Sequence, residues 1–161
     1  MSKTLSIGFF SFTGDEGCMF TVIEALITHY VEWKDLLDVR EFRLISSKKL
    51  AGELDVAIVE GAISTYKEEE KLREIRKRAK KLVAIGSCAI TGMPSGHRNT
   101  FSEEEKRRIE FFLKRFGHRP KVVPLKDIVE VDMEVPGCPV DKQKFVEALN
   151  ELFKEFGCRH A

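Results

Sequence analysis

Leu82-Val-Ala-Ile-Gly-Ser-Cys-Ala89 runs from a short apolar stretch straight into a glycine and then a cysteine. Such a run, closed by glycine, reads as a buried strand over Leu82–Ile85, with Cys88 just past its carboxyl end. The same order of features occurs twice more. Leu5–Phe10 is followed by Gly14-Asp-Glu-Gly-Cys18, and Val129–Val135 leads into Pro136-Gly-Cys-Pro139. If these strands are parallel, Cys18, Cys88 and Cys138 arrive at one edge of one sheet.

The segments between them alternate in type. A helix is expected from about Met19 to Trp33, with Phe20, Ile23, Ile27, Tyr30 and Val31 on its apolar face. Val39–Leu44 and Val56–Val59 read as the second and third strands. Thr65 with Glu68 is a capping box that opens a charged helix reaching about Lys80. Ser102 with Glu105 is a second one, with Gly117 as the stop and Ile109, Phe112, Leu113 and Phe116 as the buried stripe. Either Lys121–Val123 or Val129–Val135 supplies a fifth strand, and a last helix runs from about Asp141 to Phe156, ending at Gly157. Strands alternating with helices imply a parallel sheet covered on both faces. The expected fold is therefore α/β, a flavodoxin-like doubly wound parallel sheet of about five strands, as one domain over residues 1–161. Ligands of such sheets bind outside the carboxyl ends of the strands, where strand order reverses. The cysteines fall at that edge.

Composition narrows the function classes. Charged residues make up 33% of the 161 residues but nearly cancel, to a net charge of +1. That balance gives no electrostatic footprint for nucleic acid or an anionic membrane. No apolar run approaches the ~20 residues of a membrane span, and the amino-terminal stretch lacks the marks of a signal peptide. A cytoplasmic chain with four cysteines points to metal or redox chemistry over disulfides, and the absence of any Cys-x-x-Cys pair argues against a zinc ribbon. The run from Glu68 to Lys81 is acidic at its start and basic at its end, as suits a solvated helix, and Gly8 and Gly14 do not make a dinucleotide fingerprint.

An iron–sulfur cluster needs thiolates converging from several loops, with backbone free to approach the sulfur atoms. Gly17, Gly86 and Gly137 beside the cysteines leave that room, and Pro136 and Pro139 stiffen the last loop. Singly, each cysteine could be an inert buried thiol; three at one sheet edge favour a cluster. A cubane needs a fourth ligand. Cys158 lies at the far end of the last helix, where about sixteen residues at ~1.5 Å each carry it roughly 24 Å away. Asp15, three residues before Cys18, is the favoured candidate, and a polar loop or capping role is its alternative. Water, a three-iron cluster, or His97 remain open.

Asp15-Glu-Gly-Cys18, Val59-Glu-Gly-Ala-Ile63, Ile85-Gly-Ser-Cys-Ala89 and Val135-Pro-Gly-Cys-Pro139 together resemble, in order and spacing, the small subunit of [NiFe] hydrogenases. The stretch Thr91-Gly-Met-Pro-Ser-Gly-His-Arg-Asn99 is most similar to the soluble, NAD-linked or electron-bifurcating members, and the respiratory complex I 20 kDa cluster subunit is a related family. The resemblance implies one proximal [4Fe-4S] cluster, an electron-relay role beside a large subunit that alone carries the NiFe centre, and further Fe–S or flavin diaphorase or bifurcating subunits as partners. It implies ligands at positions 15, 18, 88 and 138. Asp15 stands where the family usually has cysteine, hence a set of three cysteines and one aspartate: Cys18, Cys88, Cys138 and Asp15. Glu60, Gly17, Gly137, His97 and Arg98 are expected near the cluster or at a subunit contact. The extra cysteine-rich region that carries more clusters in many relatives is absent, so one cluster is expected here. The competing readings are a cluster subunit of a complex I-like quinone-reducing or disulfide-reducing assembly, and a metal-free flavodoxin-like binding module. The quinone-reducing relatives usually carry adjacent cysteines in the first motif, where this chain has Gly17-Cys18.

Overall fold

The computed structural model describes residues 3–47 and 52–158. Strand β1 (Leu5–Ser11) is followed by α1 (Gly17–Thr28), a one-turn α2 (Tyr30–Trp33), β2 (Leu37–Phe42), β3 (Leu54–Glu60), a short β4 (Ile63–Thr65) and α3 (Tyr66–Arg78). Then come β5 (Ala79–Ile85), α4 (Gly86–Thr91), α5 (Glu103–Arg115), β6 (His118–Val123), β7 (Met133–Val135) and α6 (Lys142–Phe156). The main sheet has the order β2-β1-β3-β5-β7, and all four pairings are parallel. This is the flavodoxin-like order, with its reversal between β1 and β3.

Every residue of β3 is buried, as a central parallel strand requires when helices cover both faces. Val56 and Ile58 of β3 and Val83 and Ile85 of β5 pack with Met19 and Val22 of α1 and Phe145, Leu149 and Leu152 of α6. Ala57 and Val59 and, on β5, Leu82 and Ala84 face Leu72 and Ile75 of α3 on the other side. Both expected capping boxes form: Thr65 with Glu68 starts α3, and Ser102 with Glu105 starts α5. Gly157 ends α6 in the left-handed conformation, with φ 71°.

Three expectations need correction. The helix expected through Trp33 breaks at His29, whose ring stacks on buried Trp33 at 4.7 Å. Its buried face is Cys18, Met19, Val22 and Ala25, whereas Phe20, Ile27, Tyr30 and Val31 are exposed. Helix α5 buries no residue at all, and Phe112 and Phe116 of its expected core stripe lie open. Of the two stretches that could supply the fifth strand, β6 does not join the main sheet. It pairs antiparallel with β4, and β7 supplies the fifth main strand.

Candidate functional site

The carboxyl edge of the main sheet is where four chain segments meet. After β1 the chain reaches Thr13, which exchanges both backbone hydrogen bonds with Ala62 at 3.0 and 2.8 Å. Gly61, at φ 87°, makes that approach possible, since a Cβ there would lie 2.8 Å from the Phe12 carbonyl carbon. The Thr13 hydroxyl donates to Glu68 Oε1 at 2.8 Å, while Glu68 Oε2 accepts from Ser64 N–H and Thr65 N–H, each at 2.9 Å. The cap of α3 therefore also anchors the loop that carries Cys18.

The next two loops are joined to each other. Gly86 (φ 81°) turns the chain out of β5, and α4 begins at once, so Cys88 sits on the first turn of a helix too short to leave a pattern in the sequence. Ser87 donates to the Gly137 carbonyl through its N–H at 2.8 Å and its hydroxyl at 3.1 Å, closing the Cys88 segment onto the Cys138 loop. Gly137 (φ 133°) then bridges to Val140, and the Asp141 side chain caps α6 through Lys144 N–H at 2.9 Å.

These loops enclose a cavity of about 430 Å³ whose lining includes Cys18, Cys88, Cys138, Asp15, Glu60 and Ser95. Gly17 and Gly137 also line it. Cys18 is buried, Cys88 half-buried and Cys138 exposed. Among the described residues, two donors end on sulfur: Val140 N–H lies 3.3 Å from Cys18 Sγ and the Ser95 hydroxyl 3.0 Å from Cys88 Sγ. A Cβ on Gly86 would collide with Cys18 Sγ, so the wall there must be glycine. Among the described residues, no three His, Cys, Asp or Glu side chains close up tightly enough to hold a single metal ion. Three thiols on one cavity, with donors aimed at two of the sulfurs, are a donor set that an iron–sulfur cluster could use.

The electrostatics of the inner wall are set by burial. It pushes the Cys18 thiol up to about 11; the Val140 N–H opposes that, and Glu60, Cys88 and Cys138 add to it. Unaided, Cys18 stays protonated at neutral pH, and a bound metal would deprotonate it outright. Burial also raises the Glu60 carboxyl to about 7, against the pull of the Cys18 and Met19 N–H groups and with the help of the Asp15 and Glu16 charges. Glu60 is 3% exposed, and its Oε2 has no hydrogen-bond partner among the described residues.

The remaining candidates divide. Asp15 is exposed and lines the cavity, and its Oδ1 accepts the Gly17 N–H at 3.0 Å in a local turn bond. His97 is exposed and packs edge-on against Phe101, away from the cavity lining. Arg98 turns inward instead: its guanidinium donates to the carbonyls of Ser64 at 3.2 Å and Arg119 at 2.8 Å, tying its loop to β4 and β6. Cys158 is buried beside the main core, not at the cavity. Ser87 and Ser95 lie within the stretches 85–89 and 91–99, yet nothing in the sequence marks either as a site residue, because a hydroxyl that bonds across loops leaves no spacing signal.

The family described as NADH ubiquinone oxidoreductase, 20 Kd subunit, matches residues 16–152, a span that takes in all three cavity cysteines but stops short of Asp15. Sulfhydrogenase 2 subunit delta of Pyrococcus furiosus is 32% identical over 156 residues, covering 93% of this chain and 62% of that protein. A vhu subunit of the F420-non-reducing hydrogenase of Methanocaldococcus jannaschii is 27% identical over 165 residues, covering 94% of this chain and 57% of its own length. The chain thus spans about three-fifths of the length of these relatives. Among solved structures, an NAD+-reducing [NiFe]-hydrogenase in the H2-reduced state aligns at TM-score 0.76 and 26% identity, over 98% of this chain and 96% of the other.

Proposed function

The chain belongs to the NADH ubiquinone oxidoreductase 20 Kd subunit family, and from that premise we propose that it is the electron-transfer small subunit of a cytoplasmic [NiFe] hydrogenase. The observation that carries this reading is the convergence of Cys18, Cys88 and Cys138, from three separate loops, on one cavity with hydrogen-bond donors aimed at two of the sulfurs. Those three thiolates, with Asp15 as the fourth ligand, would hold one [4Fe-4S] cluster. When bound, such a cluster stores and passes single electrons.

The chain's own residues do the rest. Gly86 keeps the wall open beside Cys18, and the Ser87 bonds to Gly137 fix the spacing of the two later ligand loops. Cys18 and Glu60 form the buried inner wall, while Cys138 stands at the exposed mouth. The partner that covers this mouth is, on this reading, a large subunit holding the NiFe centre, with Fe–S or flavin subunits beyond. Gly17 beside Cys18 sets the chain apart from quinone-reducing relatives.

The test is the iron and acid-labile sulfide content of anaerobically prepared protein, with EPR of the reduced form. About four of each per chain, with a reduced-cluster signal, is the expected result. No iron, even after production together with a large subunit and cluster-assembly machinery, would leave a metal-free flavodoxin-like binding module instead.

A further inference from the structure

Among the described residues, two hydrogen bonds in the cavity end on cysteine sulfur, and they differ in kind. The one to Cys18 comes from a backbone N–H of Val140, which any side chain there would supply. The one to Cys88 comes from a side chain, the Ser95 hydroxyl, at 3.0 Å.

The loop that carries Ser95 is built to hold it still. Gly92, at φ 79°, ends α4, and the Gly96 N–H returns to the Gly92 carbonyl at 2.7 Å, closing a turn around Ser95. A Cβ at Gly96 would lie 2.5 Å from that carbonyl oxygen, so only glycine permits the closure. Just downstream, the Asn99 amide pairs with the backbone of Val122 in both directions, at 2.7 and 2.9 Å. Arg98 adds its two bonds to the carbonyls of Ser64 and Arg119. The hydroxyl is thus positioned by a turn clamped to the β4–β6 pair.

Resting on the proposed cluster at Cys18, Cys88 and Cys138, we infer that Ser95 is a positioning residue that raises the reduction potential of the bound cluster through its bond to Cys88 Sγ. As a metal ligand Cys88 is a thiolate and carries no proton, so the hydroxyl can only donate. Reduction adds negative charge that is shared with the ligand sulfurs. An O–H dipole aimed at one of them stabilises the reduced form more than the oxidised one, and more strongly where water is scarce. The same bond could not be inferred from the motif, since Ser95 lies seven residues from Cys88.

The experiment uses the full chain in complex with its co-produced large subunit, carrying Ser95→Ala or Ser95→Thr. Iron, sulfide and the EPR-monitored midpoint potential are read for each. The expected result is a full cluster in both, a more negative potential in Ser95→Ala, and the unmutated value in Ser95→Thr, which keeps the hydroxyl. A full cluster at the unmutated potential in Ser95→Ala overturns the assignment. Loss of iron from Ser95→Ala makes the residue a structural support and also overturns it. So does Ser95→Thr shifting along with Ser95→Ala, because fit rather than the hydroxyl would then set the potential. Absence of iron from the unmutated complex is read before any variant, and marks instead the failure of the cluster reading on which the inference rests.

Discussion

Gly86 shows how far one missing methyl can reach. Its φ of 81° is closed to most side chains, and a Cβ there would run into Cys18 Sγ. Gly86→Ala is therefore expected to leave the sheet intact while displacing the Cys18 sulfur, so that iron and sulfide fall well below the unmutated content in an anaerobic preparation. A variant that loads fully would show that the wall yields. At Asp15 the expectation runs the other way. The carboxylate supplies a hard oxygen where three soft sulfurs complete the proposed set, so Asp15→Cys is expected to keep the cluster but change its potential and EPR spectrum. An unchanged potential and spectrum would count against Asp15 as a ligand and leave it with the turn bond to Gly17. These residues also mark how much of the site is legible in the sequence. The three cysteines announce themselves by standing after strands, and Asp15 by its spacing from Cys18. Ser87 and Ser95 do not, because their bonds reach across 50 and seven residues of sequence and exist only once the loops have met.

Among the elements, α5 is the informative one. Its capping box is complete, with Ser102 Oγ accepting from Glu105 N–H at 3.3 Å and Glu105 Oε2 accepting from Ser102 N–H at 2.8 Å. Three glutamates open the helix and Lys114 and Arg115 close it, in accord with its dipole. Since the helix buries no residue, local terms carry an unusual share of its stability. Ser102→Ala is expected to cost about 1 kcal/mol, measured by denaturant unfolding, and to quicken amide exchange in α5 before it does so in the sheet. Local chemistry of this sort is legible: both capping boxes, the stop at Gly157 and the strand cores fall where the sequence puts them. Burial is less so. Phe20, Ile27, Tyr30 and Val31 share an apolar face in the sequence, yet it is Met19, Val22 and Ala25 that meet the core. Periodicity reports that a face is apolar and says nothing of what covers it, and α1 is apolar on more than one side. The three-residue β4 and six-residue α4 escape notice for want of length, since such short pieces hold too little pattern to read.

For the molecule as a whole, the sheet has two edges with different duties. The carboxyl edge gathers the thiols, while the amino edge is tied by Asp55. Its Oδ2 accepts from Ser6 N–H at 3.0 Å and from the Ser6 hydroxyl at 2.9 Å, and its Oδ1 accepts from Lys80 at 2.7 Å, so one carboxylate spans β1, β3 and β5. Burial works against its charge, but the Lys80 and Ser6 hydrogen bonds outweigh it and hold the pKa below the usual carboxylate value. A folded-state pKa depressed in this way gives stability that is present above the unfolded value of about 3.9 and is lost as pH falls through the folded one. Asp55→Asn is accordingly expected to be less stable at pH 7 and to approach the unmutated protein as the pH drops below about 4, in parallel unfolding curves; a constant difference across that range would exclude the linkage. The open apolar residues carry a further consequence, in colloidal terms. Phe20, Ile27, Tyr30 and Val31, and separately Phe111, Phe112 and Phe116, are each more than half exposed, on a chain whose net charge is only +1. Copies in solution thus meet with adhesive patches and almost no long-range repulsion. Sulfate salts, which strengthen apolar burial, should draw the lone chain together at concentrations that leave a better-charged protein dispersed.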